Sequence, residues 1–353
     1  MRILKELGYW LLVLMGLPWV ARRINQRKTL VLVYHDVYAG AVNPALNFDG
    51  LHVHARRFES QMRYLAACYH VVPLDQLLAL QAASQHRKPL AAITIDDGYK
   101  GTYHHAFPIL QQMGLHATVF IVSDFCLHGR AVWWDRLRAM IATTRHSSLV
   151  VRIQDAEQRF PLISEQDKDA ALRQMSPEIH RLPPKQREAL LAQLAADLGV
   201  EERTLATCEP ISVAELREMV EGVIFVGSHG RSHDSFLHLS REDLFAELTE
   251  SKQVLESVTG RSVTWLAYPY GEFSQASIET AIGAGYRGAV TTIEGLNDTS
   301  PHPFALRRIG VDDNMSLAHF IVAVSGLRDL LKTLLRIGGA TRAVSPPVPE
   351  RGE

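Results

Sequence analysis

The sequence contains few cysteines, no excess of charge of one sign and no apolar run long enough to cross a membrane alone. Its three cysteines, Cys68, Cys126 and Cys208, are far apart and form no C-x-x-C pair. This argues against a disulfide framework and against a thiolate zinc site. The formal net charge of −1 gives no reason to expect nucleic acid as a partner. Partners and cofactors must therefore be inferred from local motifs.

What is present is the composition of a globular protein. Of its 353 residues, 47% are hydrophobic and 21% are charged, which argues against disorder over most of the length. The chain is long enough for one large α/β domain or two smaller ones. Only the proline-containing tail, residues 341–353, is predicted to be disordered.

The N-terminus carries an apolar run with positive charge on both flanks. Leu7–Ala21 is shorter than the roughly 20 residues of a spanning helix. It does not end in the small residues of a signal cleavage site, because Arg22 and Arg23 follow. Trp10 and Trp19 sit near its ends, where a membrane interface would place them. We interpret residues 1–28 as a membrane anchor and basic linker, with an amphipathic helix packed on the domain as the alternative.

Short apolar and β-branched runs recur along the chain, and several end in polar or ionisable residues. Helical patterns separate them, and about seven such β/α units predict a (β/α) barrel with parallel strands. In such barrels the reacting groups collect at the carboxyl ends of the strands. The runs that matter most for function are Leu30–Tyr34 before His35, Ala91–Ile95 before Asp96-Asp97-Gly98, and Val223–Val226 before Gly227-Ser228-His229.

The β/α rhythm breaks between about residues 132 and 211. Trp133-Trp134-Asp135 opens a helix there, and sequence rich in charged residues, alanine and leucine follows. We predict a mostly helical insertion within a main domain that spans residues 29–340.

The strongest local motif is Thr94-Ile95-Asp96-Asp97-Gly98. Adjacent side chains on an extended strand point to opposite faces, so two functional carboxylates require the chain to turn at Gly98. One carboxylate can then bind a metal while the other takes a proton from water. An isolated Asp-Asp-Gly is more often a solvated turn.

A second motif places His229 and His233 four residues apart, again just after an apolar strand. On one helical turn this spacing puts both imidazoles on one face, as metal binding requires. Single pairs of this kind are common, but two such motifs at strand ends of one barrel are much rarer. Two histidines and one carboxylate leave positions open for water and substrate, which is typical of a catalytic site.

A third motif, Ala267–Gly271, ends a strand with a proline between two aromatic residues. We predict that Tyr268, Pro269 and Tyr270 form the wall of a sugar-binding groove, and that a backbone N–H near Tyr270 stabilises an oxyanion. The alternative is a strand-terminating turn with core aromatics.

In this order the three motifs resemble those of the NodB-homology polysaccharide deacetylases, carbohydrate esterase family four. The resemblance spans about Leu30–Ser325. It implies a deformed (β/α) barrel and a hydrolase that removes N-acetyl groups from an amino-sugar polysaccharide or oligosaccharide. It also implies that Asp96 is the catalytic base, and that Asp97, His229 and His233 bind a divalent metal, usually Zn²⁺. The implied partner is an N-acetylated glycan.

Two further segments resemble a bacterial subgroup tied to exopolysaccharide or lipopolysaccharide chemistry. They are Val33–Val37 and Trp133-Trp134-Asp135 with its helical insertion. Together with the N-terminal run, they predict a membrane-associated protein of the bacterial inner membrane or cell envelope, on a side that stays open.

Two departures from the family pattern affect the site. Many members carry an arginine at the position of Ala267, so another cation, Arg307 or Arg308, is expected to orient Asp96. The family's general acid lies in a Leu-x-His motif, but the matching letters here, Leu317-Ala318-His319, fall in a predicted helix. His35, at the end of the first strand, is the better-placed catalytic candidate at the mouth of the barrel, with a satisfied structural histidine as the alternative.

Two alternatives to N-deacetylation stay open, and the departures motivate the first of them. One is a catalytically degenerate member that binds glycan without turning it over. The other is an O-acetyl esterase or amidase acting on another substrate, since the same activation of water would serve.

Overall fold

The structure is a computed structural model that describes residues 2–40, 47, 49–83, 87–153, 156–200 and 209–338. The tail predicted to be disordered, residues 341–353, lies outside the described residues. The limits predicted for the main domain, residues 29–340, stay a prediction.

Several strands of the barrel are as buried as their apolar runs predict. Leu30–Tyr34, Leu90–Ile95 and Ala117–Ile121 are buried at every position, as expected for parallel strands that are covered on both faces. The strands are β1 Leu30–Tyr34, β2 Asp36–Tyr38, β3 His52–His54, β4 His70–Val71, β5 Leu90–Ile95, β6 Ala117–Ile121, β7 Ser148–Ile153, β8 Ala156–Pro161, β9 Ile224–Ser228, β10 Trp265–Ala267, β11 Gly288–Glu294 and β12 Leu306–Gly310.

Seven of these strands form a closed parallel barrel. They neighbour one another in the order β1, β12, β11, β10, β9, β6 and β5, and the pairing of β1 with β5 closes the ring. β4 pairs with β5 outside the ring. The pairing of β11 with β12 is irregular in register, which makes the barrel uneven. The predicted (β/α) barrel of about seven units is therefore confirmed.

Helices cover the outside of the barrel, and their ends follow local capping chemistry. The helix Arg241–Thr259 begins where the Ser240 side chain accepts from the backbone N–H of Asp243, and it ends at Gly260 with φ 66°. Residues Thr102–Ala106 form a π-helical turn. The α-helices are α1 Arg2–Leu14, α2 Leu17–Ile24, α3 Ala55–Cys68, α4 Leu74–Ala83, α5 Phe107–Met113, α6 Ser123–His128, α7 Trp133–Thr143, α8 Glu165–His180, α9 Pro184–Asp197, α10 Val213–Glu221, α11 Arg241–Thr259, α12 Gln275–Gly283, α13 Leu317–Val324 and α14 Leu327–Gly338.

Successive residues of the barrel strands face two different apolar clusters, because side chains alternate along a strand. Leu32 of β1 packs in the cluster that includes Phe58 of α3. Its neighbour Val31 packs with Ala92 and Phe120 in a second cluster. Core packing thus fixes which strand residues point into the barrel.

The insertion predicted for about residues 132–211 has its own apolar core. Helices α7, α8 and α9 meet around Leu137, Leu172 and Leu191, all fully buried. The segment also contains the antiparallel hairpin β7–β8, which the sequence analysis did not predict. α8 reaches the mouth of the barrel through its last turn, so the insertion contributes to the site.

The N-terminal run forms two helices rather than one. No single described helix is long and apolar enough to cross a membrane, although Ile3–Leu14 and Leu17–Ile24, which meet at 64°, pass that test of length and composition as a bent pair. Ala21 of α2 is buried against Val322 and Leu327. The pair therefore lies against the domain, next to α13 and α14.

Candidate active site

A cavity of about 310 Å³ opens where the carboxyl ends of the barrel strands meet. The barrel brings these ends together although they are far apart in the sequence. Side chains from the ends of β1, β5, β9 and β10 therefore face one space. The predicted site residues that line it are His35, Asp96, Asp97, His229, His233, Tyr268 and Tyr270.

Asp97, His229 and His233 form a buried cluster whose ligand atoms all lie within 4.8 Å of one another. The Oδ1 atom of Asp97 is 3.5 Å from Nε2 of His229 and 3.5 Å from Nε2 of His233. Ligand atoms bonded to a tetrahedral zinc ion at about 2.0–2.2 Å are about 3.4 Å apart. The spacing of the three side chains therefore fits a small divalent cation.

The protonation states of the cluster also fit a cation. Oδ1 of Asp97 is buried and has no hydrogen-bond partner among the described residues. Burial, with the nearby carboxylates of Asp96 and Asp135, raises the pKa of Asp97 well above its usual value. Burial lowers the pKa of His229, and lowers that of His233 well below the usual value. Two imidazoles that burial keeps neutral, and a buried carboxyl group whose Oδ1 atom has no hydrogen-bond partner among the described residues, could together bind a divalent metal.

A backbone hydrogen bond fixes which nitrogen of His229 is available as a ligand. Nδ1 of His229 donates to the carbonyl oxygen of Ala267 over 2.8 Å. The lone pair is then on Nε2, which faces Asp97. Ala267, where the family resemblance led us to expect an arginine, thus contributes its carbonyl group to the site.

Three site residues hold left-handed backbone conformations that non-glycine residues rarely adopt. They are Asp97 with φ 75°, His233 with φ 63° and Tyr270 with φ 59°, and one belongs to each motif. The segment from His229 to His233 is an irregular loop, so our prediction that a helical turn aligns the two histidines was wrong. Strained backbone at all three motifs is typical of a functional site.

Asp96 is buried beside the cluster and is paired with Arg308. Nη1 and Nη2 of Arg308 donate to Oδ1 and Oδ2 of Asp96, each over 2.7 Å. Burial alone would raise the pKa of Asp96, but Arg308, together with His229, holds it below its usual value. Of the two arginines proposed from the sequence, Arg308 lies in the site. Arg307 is exposed on the same strand.

His35 lies in the cavity wall at the end of β1. Its Nδ1 atom is buried and has no hydrogen-bond partner among the described residues. Burial lowers the pKa of His35 to about 4, although the carboxylate of Asp96 opposes the shift. An uncommitted imidazole beside Asp96 is well placed to exchange a proton with a bound ligand.

The tyrosine motif and the insertion meet over the cavity. The indole N–H of Trp133 in α7 donates to the hydroxyl of Tyr270 over 2.6 Å, and the ring of His180 in α8 lies 4.0 Å from the Tyr270 ring. Tyr268 lines the cavity, but its hydroxyl donates to the backbone of Phe304. Pro269 is buried outside the cavity wall. Of the predicted groove residues, Tyr270 is thus the most exposed to a ligand's polar groups.

The cavity wall includes a charged pair that the sequence analysis missed. Arg138 of α7 pairs with Asp135 over 3.2 Å and with Asp49, which precedes β3. Arg138 and Asp49 both line the cavity. The sequence signal that could have drawn attention to Arg138 is the Trp-Trp-Asp segment that opens α7, because this segment begins the break in the β/α rhythm.

The Leu-x-His letters at Leu317–His319 lie elsewhere. His319 is in the first turn of α13, and its ring stacks on Tyr9 of α1 with ring centroids 4.3 Å apart. It is not among the residues that line the cavity. Among the described residues, the catalytic candidates are therefore those at the strand ends.

Comparisons with known proteins agree with this geometry. The model of the polysaccharide deacetylase family matches residues 83–289, more than half of the chain. The Bacillus subtilis (strain 168) protein YxkH, provisionally named a polysaccharide deacetylase, is 20% identical over 303 residues, which is 85% of this chain and 77% of that protein.

Solved structures with the same fold include a deacetylase. The Streptococcus pyogenes deacetylase PplD in complex with acetate superposes with a TM-score of 0.57 at 16% identity, covering 84% of this chain and 98% of that one. IcaB from Ammonifex degensii superposes with a TM-score of 0.51 at 16% identity, covering 83% of this chain and 97% of that one. At such identities they support the fold alone. The family match, which covers the carboxylate and histidine motifs, shows that the chain belongs to the polysaccharide deacetylase family, whose members are carbohydrate-deacetylating hydrolases.

Proposed function

We propose that this protein is a metal-dependent N-deacetylase that removes acetyl groups from N-acetylated amino sugars in a polysaccharide or oligosaccharide. The observation that carries the proposal is the buried cluster of Asp97, His229 and His233 beside the Asp96–Arg308 pair. A deacetylase needs an activated water, a base and an oxyanion site. All three functions can be assigned to residues in one cavity.

Asp97, His229 and His233 would hold a divalent cation, zinc in our proposal. Such an ion would supply a Lewis acid able to lower the pKa of water and to polarise the amide carbonyl. Asp96 takes the proton from the attacking water, and Arg308 fixes the orientation of its carboxylate through the two-point contact. The pKa of Asp96, held below its usual value, keeps it ionised and able to accept that proton.

The remaining steps are assigned to the other side of the cavity. The backbone N–H of Tyr270 donates to the oxygen of the amide as its charge develops. The imidazole of His35, neutral at ordinary pH because burial lowers its pKa to about 4, passes the proton that Asp96 took from water on to the leaving nitrogen, so that acetate and a free amine are the products. The rings of Trp133 and Tyr270 form an aromatic wall suited to a sugar face.

Arg308 also bears on the alternative of a catalytically degenerate member. That alternative was motivated by the alanine at position 267, where many relatives carry the arginine that orients the base. The contact from Arg308 to Asp96 supplies the same positive charge from another strand. A further candidate, hydrolysis of an O-acetyl ester, is left as an outcome of the experiment.

The test combines metal analysis with product analysis. Purified wild type is compared with His229→Ala/His233→Ala, and with His104→Ala/His105→Ala, two histidines of the π-helical turn, as the matched control. We expect about one zinc per chain in the wild type and the control, and none in the site variant. Acetate and free amine should be released in equal amounts from N-acetylglucosamine oligomers, and only by samples that hold metal. Metal loss in the site variant without loss of activity would overturn the proposal. Acetate release from an O-acetylated sugar, with none from the N-acetylglucosamine oligomers, would identify an esterase.

A further inference from the structure

The exposed apolar side chains of the described residues are concentrated at the N-terminus. Ten of the seventeen large hydrophobic residues that are exposed lie in α1, in α2 or in the turn between them. Leu14 is 81% exposed and Trp19 is 61% exposed, whereas exposed apolar residues elsewhere are scattered. We call the ten the apolar face. It consists of Ile3, Leu4, Leu7, Trp10, Leu11, Leu14, Met15, Trp19, Val20 and Ile24.

The opposite side of the two helices is fixed to the domain. Tyr9 stacks on His319 at an interplanar angle of 6°, and its hydroxyl accepts from Arg328 over 3.0 Å. The side chain of Asn25, at the end of α2, donates to the carbonyl of Ser325 over 3.2 Å. α1 and α2 are therefore held in place by specific contacts at both helices, and do not hang from the domain as a loose tether.

Positive charge accompanies the apolar face. Residues 1–28 contain six lysine and arginine residues and a single acidic residue, Glu6. Lys5, Arg23 and Arg27 are exposed. Apolar and indole side chains bordered by exposed cations fit the interface of a bilayer with anionic headgroups. The same cations would be brought together, and would repel one another, if two copies joined through this face.

We propose that the apolar face docks the protein on a membrane surface that contains anionic phospholipid, with α1 and α2 lying in the interface. Two observations favour lying over spanning: the helices meet at 64°, and their other side is occupied by α13 and α14. Because α13 begins shortly after β12, the contacts of Tyr9 with His319 fix the orientation of the barrel relative to the bilayer. This inference does not depend on the proposed chemistry.

The first experiment measures binding of the full-length protein to vesicles by co-sedimentation. Vesicles of phosphatidylcholine alone are compared with vesicles that also contain phosphatidylglycerol. The wild type should bind both and should bind the anionic vesicles at least several-fold more tightly. Leu7→Glu/Leu14→Glu should lower binding at least tenfold. The matched control, Ile163→Glu/Leu237→Glu, makes the same charge change at exposed apolar positions outside the face and should bind like the wild type.

Circular dichroism and the thermal midpoint establish that each variant is folded. A wild type that stays in solution with both vesicle types would overturn the proposal. Equal losses of vesicle binding in Leu7→Glu/Leu14→Glu and in Ile163→Glu/Leu237→Glu would also overturn it. A stable dimer that forms without lipid and is not dissociated by vesicles would assign the face to a second copy instead.

A second measurement tests how deeply α1 and α2 enter the bilayer. Lipids carrying bromine near the carbonyl end of the acyl chain should quench Trp10 and Trp19 more than lipids brominated near the bilayer centre. The signal is obtained as the difference between the wild type and Trp10→Phe/Trp19→Phe. Stronger quenching from the bilayer centre would show a spanning segment and contradict the docked arrangement.

Discussion

Arg308 donates to both carboxylate oxygens of Asp96 from a neighbouring part of the barrel wall, and both side chains are almost completely buried. A two-point contact fixes the plane of the carboxylate as well as its charge. Nε of Arg308 donates to the carbonyl of Thr291, which fixes the guanidinium in turn. The base is thus oriented by a residue that is itself held by the backbone.

Arg308→Gln should leave the Asp96 carboxylate buried without a counterion. We expect a loss of about 3–5 kcal/mol in the free energy of unfolding. The pKa of Asp96 should rise, so the acidic limb of the pH profile of kcat/KM should move to higher pH. Arg308→Lys, which keeps a charge without the two-point contact, should fold better and still show the shifted limb. The control is Arg307→Gln, at the exposed neighbour; an unshifted limb in both Arg308 variants would contradict the assignment.

Gly98→Ala should distort the turn that follows the two aspartates, Asp96 and Asp97. A Cβ atom at Gly98 would lie 2.7 Å from Sγ of Cys126 and 2.9 Å from Cδ1 of Ile121. Gly114 also has a positive φ, but a Cβ there would meet nothing within 4 Å. Gly114→Ala should therefore cost only the backbone strain, about 1–2 kcal/mol. Urea unfolding should show that Gly98→Ala lowers the free energy of unfolding more than Gly114→Ala does, and Gly98→Ala should also lose activity and bound metal. Equal losses of stability in the two variants would show that the contact with Cys126 is unimportant.

Low pH should destabilise the metal-free protein through His35. The unfolded chain takes up a proton at this histidine near pH 6.5, but the folded protein does so only near pH 4. The contribution of His35 to the free energy of unfolding is complete above about pH 6.5 and is lost as the pH falls to about 4. Each unit of pKa shift corresponds to about 1.4 kcal/mol, so the loss should not exceed about 3 kcal/mol.

The measurement is urea unfolding in chelator between pH 7 and pH 4. Relative to His35→Asn, the wild type should lose stability across this range, because the variant lacks the titrating ring. His128→Asn, at an exposed histidine, is the control. A pH-independent difference between the wild type and His35→Asn would contradict the expectation.

Trp133→Phe should weaken catalysis by releasing Tyr270. The lost hydrogen bond is worth about 1–1.5 kcal/mol, which corresponds to about a tenfold fall in kcat/KM. Tyr270→Phe should cause a similar fall, and the double variant should be little worse than either, because both changes remove one contact. Trp265→Phe, in the core away from the cavity, is the control for lost volume. Additive effects of the two site variants would show that the contact is not used.

The barrel and the two acid and histidine motifs could be predicted because their signals are local. Buried parallel strands give continuous apolar runs, as in β1 and β5, and the polar residues that follow them are easy to recognise. The sequence around Arg307 and Arg308 did not show which of the two arginines enters the site. This depends on which face of β12 points into the barrel, and Leu306 and Ile309 give each face an apolar residue.

Other parts of the site depend on tertiary packing. The position of Arg138 beside Asp49 depends on how α7 packs over the barrel mouth, which no spacing in the sequence encodes. The positive φ of His233 also could not be read from the spacing of the two histidines, and for that reason a helical turn was predicted where the chain forms a loop. The membrane association predicted from residues 1–28 stays a prediction.

The pairing of Asp96 with Arg308 joins positions that are 212 residues apart, and β1 can close the ring only after β12 has been made. During synthesis, Asp96 therefore leaves the ribosome long before Arg308, its counterion. Because an unpaired buried carboxylate is costly, the barrel interior should form only when β12 is in place, and such non-local closure folds slowly. Chains truncated before residue 306 should be rapidly degraded by protease where the full chain resists. An incomplete chain would then be without activity for the same reason that it is unfolded.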